Sequence, residues 1–325
     1  MFERSEILPQ RPARNHTKHA STSRGFTVPY SKQIDRANPG CIIFMADQSN
    51  SMLDGLAGSQ RPKIEAVSTA INRFIGELVS MCEKGEDKPR HWFDVGLIGY
   101  TTDSNGTPIV GSLFGGGLAE RDLVSIPDLY DYPLDIEKRQ KKEFQDDGAG
   151  GLTEVVREIN FPVWYKPPTR EQMFGTPMCT AFNLCQQYLE NWLVSHPNGF
   201  PPMVINLTDG EATDGDPESA AAGVKNLATA DGNVLVINCH LSPRESDPIL
   251  FPVAEGQLVD DYSKSLFRMS SDLPDKLRQT AEIKGISAPQ GCKAMAFNAD
   301  AVSLLKLLSV GTMVLDSNTL PQHLR

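Results

Sequence analysis

The sequence of 325 residues lacks several features that would place it in a well-defined class. Its six cysteines include no Cys-x-x-Cys pair, and several lie in apolar segments, where a free cysteine behaves as a small hydrophobic residue. No apolar run reaches the ~18–20 residues that cross a bilayer, and the first residues lack the apolar stretch of a secretory signal. We therefore expect reduced thiols in a soluble, cytoplasmic protein without a membrane partner.

An excess of basic charge is also absent, since 31 Lys and Arg stand against 41 Asp and Glu, for a net charge of −10. Nucleic-acid-binding proteins usually present a basic surface, so we expect no nucleic-acid partner. The one basic region is residues 1–36, with seven Lys and Arg against three Asp and Glu. Because this region shows no helical or strand periodicity, we predict a flexible basic tail over residues 1–38, and a second tail over 313–325.

Between the tails, residues 39–312 alternate between strand-like and helix-like segments. The apolar run Cys41–Ala46 is typical of a strand that is covered on both faces. Further strands are predicted at 92–100, 203–207, 233–238 and 294–297, and helices at 64–81, 176–192, 217–229, 263–284 and 299–309. This alternation predicts an α/β domain with a doubly wound, mostly parallel sheet and helices on both faces.

A long insertion, residues 114–174, interrupts the alternation. It contains Gly115–Gly117, which we interpret as a turn because no Gly-Lys-Ser/Thr follows to form a phosphate-binding loop. We interpret the charged cluster 138–142 as the solvated face of a helix, with a docking patch as the alternative, and 161–165 as a short strand. Since the insertion leads directly into Gly175-Thr176, we expect it to border the functional site and to select the partner.

Oxygen-bearing side chains follow two of the predicted strands and open one predicted helix. Asp47, Ser49 and Ser51 alternate in the loop after the first strand, Thr176 opens a helix, and Asp209 follows a later strand. The carboxyl ends of neighbouring strands in a doubly wound sheet meet at a ligand-binding crevice. All five donors are oxygens, which are the ligands that Mg²⁺ prefers. The sequence therefore predicts a Mg²⁺ (or Mn²⁺) site, with a coordination position left for a carboxylate of another molecule.

These residues carry a resemblance to a known family. Asp-x-Ser-x-Ser at 47–51, Gly-Thr-Pro at 175–177 and Thr-Asp-Gly at 208–210 resemble the metal-ion-dependent adhesion site of von Willebrand factor type A domains. The resemblance implies that Ser49, Ser51 and Thr176 are direct or near-direct ligands, and that Asp47 and Asp209 act partly through water. Many members have Gly where this chain has Asn50, and we expect the loop to tolerate Asn because it adopts left-handed backbone more readily than most residues.

A narrower resemblance extends over about residues 30–312. Phe161-Pro-Val-Trp, Thr208–Asp216 and Phe297-Asn-Ala-Asp300 are similar to stand-alone type A proteins of the bacterial tellurite-resistance-associated branch. That resemblance implies a protein-binding adaptor in phospho-signalling, stress response or phage defence. The partner would offer an Asp or Glu carboxylate, and candidates are a Ser/Thr kinase, a metal-dependent phosphatase or a MoxR-type AAA+ ATPase.

Other interpretations of the same residues remain open. The loop at 47–51 taken alone is also typical of a helix cap or an Asx-turn. Glu211, Asp214 and Asp216 would be either a second cation site or a solvated loop with a helix cap. His240 follows a strand and would be either functional or a structural hydrogen-bonding group.

An enzyme is the competing class of function. A strand-end Asp with Mg²⁺ also begins the site of haloacid-dehalogenase-type phosphatases, which need a second acid two residues later for acid/base chemistry. That position holds Ser49 in this chain. We therefore expect no catalytic residues and no enzymatic activity.

Overall fold

A computed structural model describes residues 29–56, 59–83, 85, 87–146, 152–242 and 247–313. The helices are α1 (Lys63–Glu83), α2 (Ile126–Asp131), α3 (Met178–Ser195), α4 (Pro217–Lys225), α5 (Asp261–Met269), α6 (Asp275–Ile283) and α7 (Ala301–Met313). The strands are β1 (Gly40–Asp47), β2 (Phe93–Thr102), β3 (Pro108–Ser112), β4 (Val124–Ser125), β5 (Asp135–Asp146), β6 (Leu152–Val163), β7 (Met203–Thr208), β8 (Ala228–Thr229), β9 (Gly232–Asn233), β10 (Leu235–Leu241), β11 (Ile249–Leu250) and β12 (Met295–Ala299).

The central sheet has the strand order β11-β12-β10-β7-β1-β2-β3, with β4 pairing beside β2. Strands β2, β1, β7, β10 and β12 pair in parallel, and the short edge strands β3, β4 and β11 are antiparallel. From β3 to β12 the order follows the doubly wound 3-2-1-4-5-6 pattern. In that pattern the direction of winding reverses between the first and fourth strands, here β1 and β7, and this reversal is where ligands bind.

Both faces of the sheet are covered, and every residue of β1 and β2 is buried. Alternate residues of β1 enter two hydrophobic cores. Ile42 and Phe44 pack with α1, while Ile43 and Met45 pack with α3. The predicted doubly wound α/β fold is confirmed, because the apolar runs are buried on both sides as parallel strands in such folds are.

The insertion differs from its prediction in one element. Residues 138–142 lie in β5, which pairs with β6 from Asp135↔Val163 to Asp146↔Leu152, so the predicted helix is wrong. Lys and Glu favour helices in isolation. In the structure this segment pairs instead with β6, which is rich in β-branched residues. Cross-strand contacts such as Lys138–Glu158 at 2.8 Å place opposite charges next to each other. The turn predicted at Gly115–Gly117 overlaps a short 3-10 turn at Gly116–Leu118.

The helix predicted at 263–284 is also wrong, because the structure divides it into α5 and α6. Pro274 precedes α6 and disfavours helical backbone at the residue before it. At the N-terminus, only the last residues of the predicted tail are described. Residues 1–28 lie outside the described residues, but the backbone N–H groups of Ser31 and Lys32 donate to the Asp231 carboxylate at 3.1 and 2.9 Å. The end of the predicted tail therefore packs against the domain. Residues 314–325 also lie outside the described residues.

The six cysteines form no disulfide with one another, and five of them are buried. Among the described residues no helix is both long and apolar enough to span a bilayer.

Asn72 on α1 fixes the end of the β5–β6 hairpin to the domain. Its Oδ1 accepts from the backbone N–H groups of Trp164 and Tyr165 at 2.7 and 3.0 Å, and its Nδ2 donates to the carbonyl oxygen of Tyr165 at 2.8 Å. Asn72 is only 2% exposed. One side chain therefore satisfies three buried backbone groups where the hairpin ends.

Replacing Asn72 tests this attachment. We expect Asn72→Ala to lower the free energy of unfolding by about 2–4 kcal/mol, because buried backbone groups left without partners are costly. Urea denaturation measures the change, and hydrogen exchange should show faster exchange at Trp164 and Tyr165. The exposed neighbour Arg73 is the matched control, and Arg73→Ala should stay within about 0.5 kcal/mol. Equal stability of the two variants would contradict the role of Asn72.

A second buried polar group, Asp94, lies at the amino-terminal end of β2. Its carboxylate accepts from His91 Nε2 at 2.7 Å and from Trp192 Nε1 at 2.9 Å. Burial of Asp94 opposes ionisation, but these two hydrogen bonds outweigh it and hold the pKa of Asp94 below 3.8. The hydrogen bond to Asp94 raises the pKa of His91 above 6.5. Asp94 therefore links β2 to α3 through Trp192, and its charge interaction with His91 depends on pH.

The sign of that dependence follows from the two pKa shifts. The contribution of His91 is complete below about pH 6.5 and is lost as the pH rises through its higher folded pKa, while that of Asp94 is complete above about pH 4. The stability difference between wild type and His91→Gln should therefore shrink from pH 5.5 to pH 8, by at most about 1 kcal/mol because His91 is half-exposed. Urea denaturation at both pH values measures it, with Lys88→Gln as control. A difference that grows with pH would contradict this assignment.

Candidate metal site

The carboxyl ends of β1 and β7 lie side by side at the point where the winding of the sheet reverses. The two strands pair in parallel up to Ala46↔Leu207, so Asp47 and Thr208 leave the sheet as neighbours. The Thr208 hydroxyl donates to Asp47 Oδ2 at 2.6 Å. Asp209 follows directly, so two predicted site residues from distant parts of the sequence share one edge of the sheet.

The loop after β1 folds back over this edge. The backbone N–H of Ser49 donates to Asp47 Oδ1 at 2.8 Å, and a 3-10 turn begins at Asn50. This arrangement places Ser49 Oγ 3.0 Å from Ser51 Oγ, and Ser51 Oγ donates to Asp209 Oδ1 at 2.7 Å. Asn50 has no positive φ, so the loop does not need the left-handed backbone that Gly would supply.

Thr176 approaches the same point from the start of α3. A Cβ built on Gly210 would lie 3.4 Å from Thr176 Oγ1, 3.9 Å from Ser51 Oγ and 4.0 Å from Asp47 Oδ2. The missing side chain of Gly210 thus leaves a small space that oxygens from three segments surround. Thr213 holds Thr176 in place: its Oγ1 accepts from the Thr176 N–H at 3.1 Å, and its N–H donates to the Thr176 carbonyl at 2.9 Å.

The two carboxylates of the cluster are buried side by side. Asp47 is fully buried, and the side chain of Asp209 is 2% exposed. Burial and the nearby charge of Asp209 raise the pKa of Asp47 to about 7, although hydrogen bonds from Thr208 and Ser49 oppose the rise. Ser51, by contrast, is exposed to solvent. The site therefore combines two buried like charges with an open side, an arrangement that a bound cation would stabilise.

The donor set fits Mg²⁺ in both chemistry and spacing. Two adjacent oxygens around an octahedral Mg²⁺ lie about 3 Å apart, because each Mg–O bond is about 2.1 Å long. The Ser49–Ser51 and Ser51–Asp209 oxygen pairs, at 3.0 and 2.7 Å, are close to that spacing. Thr176 lies close to Ser51 and Asp47 around Gly210. The structure thus brings together all five residues that the sequence analysis selected.

Lys63 is a member of this cluster that the sequence analysis missed. It opens α1 with a side chain that is 2% exposed, and its Nζ donates to Asp209 Oδ2 at 2.5 Å and to the Ser51 carbonyl at 3.2 Å. The signal was present in the sequence, because Lys63 stands four residues before Val67 and eight before Ile71, on the apolar stripe of the helix. A lysine on that stripe indicates a buried charge with a partner.

The acids proposed for a second cation site have other roles in the structure. Asp214 accepts from the N–H groups of Cys179 and Thr180, at 3.0 and 2.8 Å, at the start of α3. Asp216 is the N-cap of α4 and accepts from the Glu218 N–H at 3.0 Å. Asp214 and Asp216 therefore act as helix caps, which is the alternative interpretation of this cluster.

His240 pairs with Thr208 in the β7–β10 register and therefore lies near the site. It is buried, and its ring stacks on Phe297 at a centroid distance of 5.0 Å. This packing gives His240 a structural contact, while its hydrogen-bonding role stays a prediction.

The end of the insertion borders the site, while its hairpin attaches to α1. The N–H groups of Phe174 and Gly175 donate to Thr101 Oγ1 and Thr102 Oγ1, at 3.0 and 2.9 Å. The Asn50 N–H donates to the Phe174 carbonyl at 2.8 Å. Phe174 and Gly175 are thereby fixed to both the loop after β1 and the end of β2.

Two grooves flank the cluster. One, of about 410 Å³, starts at Gly210 and carries the acids Glu211, Asp260 and Asp261. The other, of about 440 Å³, starts at Gln48 and includes Ile109 and Phe174, which are 55% and 40% exposed. The cluster thus opens between an acidic groove and a mixed one that includes exposed apolar side chains as well as Asp103 and Glu171.

Comparisons with known proteins give only distant similarities. No family model and no curated protein matches the sequence. Among solved structures, the chain is similar to a von Willebrand factor type A protein from Catenulispora acidiphila (11% identity, TM-score 0.42, covering 86% of this chain and 43% of the other). It is also similar to the PilB minor pilin from Streptococcus sanguinis (11%, 0.42, 87% and 64%) and to the human COPII-coat protein Sec24c (12%, 0.36, 89% and 34%). The chain spans less than two thirds of each of these proteins.

The role of Asp214 as a cap leads to a direct test. We expect Asp214→Ala to lower the free energy of unfolding by about 1–2 kcal/mol, because two N–H groups at the start of α3 lose their acceptor. The neighbouring Glu211→Ala should change it by less than about 0.5 kcal/mol. Urea denaturation in EDTA measures both variants. A loss of stability that appears only when Mg²⁺ is present would instead identify Asp214 as part of a cation site.

Proposed function

We propose that this chain is a metal-dependent protein-binding module. Asp47, Ser49, Ser51, Thr176 and Asp209 would hold Mg²⁺ or Mn²⁺, with Asp47 and Asp209 acting partly through water. The ion would supply a coordination position for an Asp or Glu carboxylate of a partner protein. The convergence of these five oxygen donors around Gly210, at the point where the sheet reverses its winding, is the observation that carries the proposal.

The geometry favours binding over catalysis. Ser49 occupies the position where a phosphatase of this design needs its second acid, and a hydroxyl cannot serve as the acid/base there. The Ser49 N–H donates to Asp47 Oδ1, and its Oγ lies against Ser51 Oγ, so this residue shapes the donor cluster. Asp47 is fully buried and accepts from both Ser49 and Thr208, which suits an orienting role rather than nucleophilic attack.

The surface around the cluster is suited to a protein ligand. In the groove beside Gln48, the exposed Ile109 and Phe174 would contact apolar side chains next to the partner's carboxylate, while the acidic groove beside Gly210 would select against a second acid there. The end of the insertion would contribute to partner selection because Phe174 is fixed to the loop after β1. The resemblance to stand-alone bacterial type A proteins favours a Ser/Thr kinase, a metal-dependent phosphatase or an AAA+ ATPase as the partner.

Metal titration tests the first half of the proposal. After dialysis against EDTA, calorimetric titration with Mn²⁺ should show one site with a Kd in about the micromolar-to-millimolar range. Ser49→Ala and Thr176→Val should each weaken binding at least tenfold, because each removes one oxygen donor without adding bulk. Ser80→Ala, on the exposed face of α1, is the matched control. No binding by the wild type, or equal binding by Ser49→Ala, would contradict the proposal.

Partner capture tests the second half. The immobilised chain should retain a protein from lysate of its own host in Mg²⁺ and release it in EDTA, and the Ser49→Ala chain should retain none. Amidation of the captured partner's carboxylates should abolish rebinding, because a neutral amide is a poor Mg²⁺ ligand. Hydrolysis of p-nitrophenyl phosphate that requires Asp47 and Mg²⁺ would instead favour a phosphatase.

A further inference from the structure

Lys63 is an unusual residue for its position. It lies in the first turn of α1, where the helix dipole favours negative side chains, and it is almost completely buried. A buried charge is costly unless it is paired and hydrogen-bonded. The Nζ group meets that condition through Asp209 Oδ2 and the Ser51 carbonyl, at 2.5 and 3.2 Å, and Asp54 Oδ2 lies 4.0 Å away. Its partners therefore lie in the loops that follow β1 and β7.

The charges around the cluster have a simple balance. Asp47 and Asp209 carry two negative charges when ionised, and Lys63 carries one positive charge. In the metal-free chain, the ammonium group thus offsets half of the charge that would attract a divalent cation. With a divalent ion in place, the same groups would sum to one positive charge, which a partner's carboxylate would neutralise.

We propose that Lys63 is a built-in counter-ion that weakens divalent-cation binding and makes the metal-loaded site selective for an anionic ligand. This inference rests on the proposed function. Lys63 stabilises the Asp209 carboxylate when no ion is bound, and its positive charge repels a metal ion that enters the cluster. The same charge favours a carboxylate over a neutral oxygen at the open position, because electrostatic attraction is strong between groups shielded from water.

Removing the charge should have opposite effects on the two binding steps. Lys63→Met keeps much of the buried volume, and we expect it to bind Mn²⁺ at least tenfold more tightly than the wild type in calorimetric titration. Lys63→Gln, which keeps a hydrogen-bond donor, should behave in the same way and serves as the test if the Met variant does not fold. Lys225→Met is the control, because Lys225 is half-buried and donates to the Arg268 carbonyl at 2.8 Å, outside the cluster.

Thermal unfolding gives a second reading of the same variants. Without metal, Lys63→Met should melt at a lower temperature than the wild type, because Asp209 loses its ionic partner. Saturating Mg²⁺ should raise the melting temperature of Lys63→Met by more than that of the wild type. A smaller or equal rise would overturn the counter-ion role.

Acetate tests the selectivity for an anion. Added to Mn²⁺-loaded protein and followed by water-proton relaxation, acetate should bind more weakly to Lys63→Gln than to the wild type. Equal acetate affinities would overturn the selectivity, and equal Mn²⁺ affinities would overturn the counter-ion role while leaving the proposed function intact. Mn²⁺ binding by Lys63→Gln but not by the wild type would support the counter-ion role and overturn the proposed function. The absence of binding in every variant would overturn both.

Discussion

The parallel pairing of β1 with β7 brings two acids, Asp47 and Asp209, to one buried edge of the sheet, and the rest of the site is arranged around that constraint. Burial and the nearby charge of Asp209 raise the cost of ionising Asp47, as its raised pKa records. The surrounding chain supplies compensating groups. Thr208, the Ser49 N–H and Ser51 donate to the carboxylates, and Lys63 adds the only formal positive charge in direct contact with them among the described residues.

This arrangement explains why parts of the chain that are distant in sequence are coupled at the site. The end of the insertion bonds to Thr101, Thr102 and Asn50, so its position depends on both β2 and the loop after β1. Lys63 joins the start of α1 to the loop after β7. Movement of any one of these segments would change the distances between the oxygen donors. The geometry of the cluster therefore depends on all of them.

The hairpin of β5 and β6 is not part of the central sheet. It pairs only with itself among the described strands, and it is joined to the domain mainly at its base, through Asn72 and the buried Trp164. An isolated two-stranded sheet has little stability of its own. Its attachment to α1 therefore determines where the chain re-enters the domain on the way to Thr176.

The sequence by itself determined the alternation of strands and helices, and the five oxygen-bearing residues of the cluster. These features depend on local patterns, namely apolar runs long enough for a buried strand and polar residues placed where such a strand ends. It did not determine that residues 138–142 form a strand, because that depends on pairing with Val156–Asn160, and residues 138–142 alone have the composition of a helix.

Tertiary structure alone decided two features of the site. Asp216 caps α4 through a contact only two residues along the chain, which the sequence already offered, whereas the role of Asp214 follows only from its contact with the start of α3, 34 residues away. Lys63 has no local partner in the apolar stripe of α1, and its role follows only from the approach of Asp209, 146 residues away. A charge can be recognised as buried from its periodicity, but the group that neutralises it is set by the path of the whole chain.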